Sequence, residues 1–167
     1  TLAVINMDAL NIYGRTKDLT VVGLGASDLD DYARDAAEVQ ARVLVPDPFP
    51  EGGGYFRADH FPFAQLGVPA RNAGGGSDFI GRPAGWGKQV TDTYIAQHYH
   101  KPSDEVRPDW DLSGGLEDLQ IYFAVGARAA DTVTWPEWKP GSEFKARRGS
   151  MLGRLYTVSS IVPAKNL

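Results

Sequence analysis

The sequence contains no cysteine, and that absence removes disulfides, iron–sulfur clusters, thiolate zinc sites and cysteine nucleophiles together. Any transition metal must then be held by histidine and carboxylate side chains. Histidine is scarce as well, with three among 167 residues. Basic charge is in deficit: 17 Lys and Arg face 21 Asp and Glu, a net charge of −4. A nucleic-acid binder normally carries a basic face or stripe, so that class is disfavoured. No apolar run is long enough to span a bilayer. The first residues, Thr1 to Asn6, have no charged leader, no cleavage signature and no initiator Met. An apolar stretch at the first position reads as a strand entered partway, and natural sequence is expected upstream.

The length suits one domain, which at this size buries roughly two-thirds of its unfolded surface without staples. Charge divides the chain unevenly. Lys139 to Leu167 holds six basic residues and one acidic, against 11 basic and 20 acidic before it. The expected organisation is therefore a body over residues 1–138 and a basic terminal extension over 139–167.

Leu2 to Asn6 and Leu19 to Gly23 are short β-branched runs that read as buried strands. Ser27 offers an N-cap with Asp30 three residues on, and the apolar spacing predicts a helix from about Asp28 to Arg42. Val43 to Val45 is too short to assign. The segment with Pro46, Pro48, Pro50 and Gly52 to Gly54 is irregular. Phe61 to Leu66 reads as a short helix ended by Gly67, followed by a strand at Val68 to Arg71, and the glycine-dense stretch Asn72 to Lys88 reads as loop. Leu112, Leu116, Leu119, Phe123, Gly126 and Ala130 trace one face of a helix from about Leu112 to Thr132, with Asp111 as its cap. Ser142 to Leu152 reads as a basic terminal helix, and Tyr156 to Leu167 has no clear period. Strands alternating with helices favour an α/β layer fold.

All three histidines lie between positions 60 and 100. His98 and His100 flank Tyr99; on an extended segment both rings would point to one side and bind one metal, or else hydrogen-bond loop carbonyls. Asp8 follows the strand ending at Asn6, where an open α/β sheet places its ligands. A carboxylate there binds a cation or caps a turn. Other chemistries fail on their motifs. Gly75 to Phe79 lacks the last glycine of a nucleophile elbow, so Ser77 is a poor hydrolase nucleophile. No dinucleotide loop, phosphate loop or His-Glu-x-x-His pattern is present.

Three ordered segments carry a family resemblance: Ile5 to Asp8, Ala58 to Ala70 (Ala-Asp-His-Phe-Pro-Phe-Ala-Gln-Leu-Gly-Val-Pro-Ala), and Tyr99 to Glu105 (Tyr-His-Lys-Pro-Ser-Asp-Glu). Together they resemble the twenty-eighth metallopeptidase family, which groups co-catalytic zinc aminopeptidases of the bacterial leucyl type with glutamate carboxypeptidases and glutaminyl cyclases. The resemblance covers about the first 130 residues. It implies an α/β fold, a mostly parallel sheet sandwiched by helices, with two zinc ions at the carboxyl edge of its sheet. Such ions sit about 3.5–4 Å apart and activate a water against a peptide carbonyl. Asp8 matches a carboxylate ligand of one zinc and His100 the histidine ligand of the other. Tyr99 matches a phenol that steadies the tetrahedral intermediate in some members. Asp59 and His60 border the implied substrate pocket, Arg57 or Arg71 would meet a substrate carboxylate or carbonyl, and His98 is a loop or pocket residue.

The family's other histidine ligand, bridging aspartate and Glu-Glu pair lie upstream of the Asn-x-Asp strand and have no counterpart here. The expectation is the carboxyl-terminal half of a zinc exopeptidase domain: an incomplete fold, inactive alone, whose partners are a peptide substrate and the missing amino-terminal half. The alternatives are a noncatalytic α/β interaction module and a one-zinc cyclase-type acyltransferase. The long insert before His100 and the Trp135-Pro-Glu-Trp138 segment resemble one subtype of the family, whose members imply a periplasmic or extracellular setting.

Overall fold

The computed structural model describes the backbone of residues 1–161 and the side chains of residues 1–153. Four strands form one sheet: β1 (Val4–Asn6), β2 (Asp18–Val22), β3 (Val43–Pro46) and β4 (Ala70–Gly75), in the order β1-β4-β2-β3. β1 runs parallel to β4 and β2 parallel to β3, while β2 and β4 are antiparallel. The sheet is therefore mixed and mostly parallel, consistent with an incomplete α/β fold. The helices are α1 (Leu29–Val39), α2 (Gly54–Arg57), α3 (Phe61–Gln65), α4 (Trp86–Gln97), α5 (Ser113–Asp131) and α6 (Lys145–Ile161), with a 3-10 turn at Pro50–Gly52.

Alternation along the strands creates two different faces. Leu19, Val21 and Ala73 point to one side and pack with Leu29, Ala33, Ala37, Ile121 and Val125 of α1 and α5, forming the main core. Thr20, Val22, Asn72 and Gly74 point to the other side, in register as Thr20 opposite Gly74 and Val22 opposite Asn72. At the foot of that second face, Ala64, Ala70 and Trp138 make a small satellite core.

Buried charge is held inside the main core by pairing. Asp30 and Arg71 are 3% and 2% exposed and meet at 2.9 Å. Asp30 also accepts the backbone N–H of Gly25 at 2.8 Å and of Ser27 at 3.3 Å, so its carboxylate does the capping work that the spacing assigned to Ser27. Arg42 donates to Thr16 and to the Asp18 carbonyl and pairs with Asp118 at 2.7 Å. Burial pushes the Asp118 carboxyl upward, with Arg42 opposing it. The same desolvation pushes the Tyr122 phenol up to about 12, and its hydroxyl donates to the Ala73 carbonyl.

Several expectations need correction. The glycine-dense stretch is not all loop: β4 continues through Gly75, and α4 begins at Trp86 inside it. Asp18 is the reason the turn between them holds, because its carboxylate accepts the N–H groups of Ser77 and Asp78 at 3.0 and 2.9 Å. The α5 stripe of Leu112, Leu116, Leu119 and Phe123 exists, but faces solvent; Ile121, Tyr122, Val125 and Ala129 are the buried set. The terminal helix starts at Lys145 and continues to Ile161, so it includes Tyr156; residues 162–167 of that aperiodic stretch lie outside the described residues. The start of α6 is docked on the body: Arg148 is fully buried and donates to the Pro136 carbonyl at 3.0 Å, and Trp138 Nε1 donates to the Gly67 carbonyl at 3.0 Å.

Candidate functional site

Where β1 and β4 end, on the face opposite α1 and α5, lies a cavity of about 750 Å³. Its floor is Thr20, Val22, Asn72 and Gly74, one wall is the Gly75 to Ser77 turn, and α4 closes the far side with Lys88, Thr91 and Ile95. The turn can pass this close to β2 because Gly76 has no side chain: a Cβ there would stand 2.1 Å from the Asp18 carbonyl oxygen. Lys88 pairs with Asp92 at 2.5 Å and lies over the Phe49 ring at 5.6 Å, linking α4 to the proline-rich loop across the cavity. Such a space is large enough for an amino-acid side chain and is walled mostly by carbon.

Asp8 stands at the rim of this cavity, two residues beyond β1 and exposed, where a strand-end carboxylate meets a ligand. His100 comes from a different loop. It follows α4 with φ +57°, a left-handed backbone unusual for a residue with a Cβ, and stacks on Tyr99 at 3.8 Å between centroids. The segment is not the extended His-x-His of the single-metal alternative: His98 caps the end of α4, and its ring is 3.2 Å from the Ser103 hydroxyl. Tyr99 is 48% exposed, a free phenol at the surface.

The residues assigned to a substrate pocket do not line the cavity. Arg57 is exposed and donates to the Gly52 carbonyl at 2.8 Å. Arg71 is committed to Asp30 and the Leu29 carbonyl and cannot reach a substrate. Asp59 is exposed. His60 is fully buried behind the site, its ring 4.5 Å from Tyr55 in an edge-to-face contact, with both nitrogens unpartnered. Burial pushes its pKa down, and the Asp8 charge partly offsets this. The glycine-rich segment Asn72 to Lys88, expected to edge a pocket, does line the cavity with Asn72 to Ser77, Gly87 and Lys88, whereas sequence reasoning missed Phe49 and Ile95; the mixed-polarity helix that carries Ile95 had no apolar period to reveal it.

Among the described residues, no group of three or more histidine and carboxylate side chains converges to hold a metal ion. Asp8 and His100 supply one donor each, so the donor set on this chain does not by itself fit a zinc centre, which uses three or four protein ligands.

Residues 1–124 match the profile of peptidase family M28. The chain belongs to this family. Comparison with curated proteins and with solved structures returned no match. An M28 peptidase is a hydrolase of peptide bonds, and the family is generally zinc-dependent. No helix among the described residues is long and apolar enough to cross a membrane.

Proposed function

We propose that this M28 chain forms the substrate-side half of a zinc-dependent aminopeptidase. The observation that carries the reading is the carbon-walled cavity with Asp8 at its rim: it offers a terminal residue's side chain a place to sit beside a strand-end carboxylate. Asp8 and His100 would each hold zinc through one ligand in a completed site, and Tyr99 would be the phenol available to a developing oxyanion. The bridging carboxylate, the second histidine and the general base come from the amino-terminal half of the domain. A one-zinc cyclase and a noncatalytic module are the competing readings. The cavity favours the enzymes, because a decayed scaffold has no use for an apolar well next to a solvent-facing carboxylate.

The test is zinc content and hydrolysis of amino-acid anilides, measured on the 167-residue chain and on the chain completed with the preceding stretch of its reading frame. The completed chain should bind zinc and cleave apolar substrates, and the shorter one should do neither. Activity in the short chain would overturn the half-site argument, and an inert, metal-free completed chain would leave the noncatalytic module. An amino-terminal glutaminyl peptide that undergoes ring closure would identify a cyclase.

A further inference from the structure

A second cavity, of about 350 Å³, shares the proline-rich loop with the first. Pro48 and Phe49 line the first cavity, Asp47 and Pro50 line the second, and Val22 borders both. The second is walled by Tyr55 and Phe56 of α2 and by Ser142 to Phe144, the turn that leads into α6. A space of this size takes one long side chain or a small molecule of similar bulk.

Its walls are aromatic, and its charges are all negative. Tyr55 is fixed from three directions. Its ring stacks on Phe144 at 5.9 Å, meets His60 edge-on at 4.5 Å, and lies so close to Gly23 that a Cβ there would stand 2.9 Å from it. The Tyr55 hydroxyl is buried and has no hydrogen-bond partner among the described residues. Leaving such a group unmet is costly, and a ligand that brings an N–H removes the cost. Burial, reinforced by the Glu143 and Asp30 charges, pushes the Tyr55 pKa above its usual value. The phenol therefore stays neutral, with lone pairs to accept a hydrogen bond, in surroundings that favour positive charge. Asp47 and Glu143 are the two carboxylates of the lining, and no basic side chain lines the cavity with them. Lys145, the nearest cation in sequence to Glu143, donates to the Trp138 carbonyl at 2.8 Å instead, and Arg57 is taken by the Gly52 carbonyl.

We propose that this second cavity holds the side chain of an arginine belonging to a peptide whose first residue occupies the first cavity. The aliphatic stem lies against the carbon walls, and the guanidinium meets the aromatic rings, the Tyr55 oxygen and the two carboxylates. Arginine suits this lining better than lysine, because its planar cation stacks on aromatic faces and offers a carboxylate two parallel bonds. The peptide as source rests on the peptidase reading above, whereas the cation site rests on the second cavity alone.

The test titrates the 167-residue chain with Nα-acetylargininamide and with its citrulline counterpart, in which a neutral urea of the same shape replaces the guanidinium. Binding is followed by NMR at the Tyr55 and Phe144 rings. The arginine compound should bind about tenfold more tightly, the worth of one charge-assisted hydrogen bond. Glu143→Gln combined with Asp47→Asn should bring that ratio down to about one. If the pair prevents folding, Glu143→Gln alone, at an exposed position, should lower the ratio about threefold. Equal binding of the two compounds, or a ratio that the substitutions do not move in a folded chain, overturns the site. Kinetics of the completed chain then identify the source. Among peptides with an apolar first residue, arginine at the second, third or fourth position should raise kcat/KM about fivefold over citrulline at the same place. No preference at any position, with the titration positive, overturns the peptide assignment and makes the ligand a free guanidinium compound. A completed chain that cleaves nothing, while the titration still separates arginine from citrulline, loses the peptidase reading and keeps the cation site.

Discussion

On the face of the sheet that meets α1 and α5, Leu19, Val21 and Ala73 are no more than 3% exposed, whereas on the opposite face Thr20, Val22, Asn72 and Gly74 border the cavity. The helical face is also where the buried ion pairs lie, Asp30 with Arg71 and Arg42 with Asp118. The cavity face has small and polar side chains and a glycine-rich strand. Stability is thus concentrated on one side of the β2–β4 pair, and the other side is left free to take a ligand. The same strands serve both purposes because consecutive residues point in opposite directions.

The largest effect should come from breaking the helical face at its buried charge. Asp30→Ala leaves Arg71 without its counter-ion and strips the caps from Gly25 and Ser27, so a loss of about 3–5 kcal/mol is expected in urea unfolding. A loss below about 1 kcal/mol would mean that water reaches Arg71. Next comes Gly76→Ala, whose Cβ would collide with Asp18 at the cavity wall; overpacking of this kind costs about 1–3 kcal/mol. Thermal unfolding of this variant reports whether the turn can shift.

A smaller, pH-dependent effect belongs to His60. Burial holds its imidazole below the usual 6.5, so the folded state keeps it neutral while the unfolded chain takes up a proton. Its contribution is complete above pH 6.5 and is lost as pH falls below that value. Comparing unfolding midpoints at pH 7.5 and 5 should show a steeper loss in the parent chain than in His60→Phe, and parallel losses would place the acid sensitivity elsewhere. The smallest stability change is expected for Gly74→Leu, since nothing lies within 4 Å of a Cβ there. It should stay within about 0.5 kcal/mol of the parent, while filling the cavity and weakening hydrolysis of apolar substrates by the completed enzyme. If Gly74→Leu unfolds the chain, the contrast between the two faces is wrong.

What was legible in the sequence follows from which signals are local. α1 and α5 were visible because apolar residues recur with helical period, and Asp8 was visible because it closes a β-branched run. The orientation of α5 was not, since the helix carries two apolar faces and only tertiary packing chooses Ile121 and Val125 over Leu116 and Phe123. β4 was cut short at Arg71 because Asn72 to Gly75 has poor strand propensity, which pairing on both sides overrides. The backbone at His98 to His100 was illegible for a related reason. An extended His98-Tyr99-His100 is a property of backbone angles, and these are set by where α4 stops, not by the residues themselves.

Arg148 has a consequence for the order in which this chain can assemble. Its guanidinium reaches the Leu2 carbonyl across 146 positions of sequence, so this contact closes the longest loop among those described and is among the last to be able to form. Until residues 145–148 emerge during synthesis, the carbonyl before β1 waits without that donor. Truncation at Lys139 would therefore remove the final latch of folding, and faster unfolding with a nearly unchanged refolding rate, detected by stopped-flow tryptophan fluorescence, should be its signature.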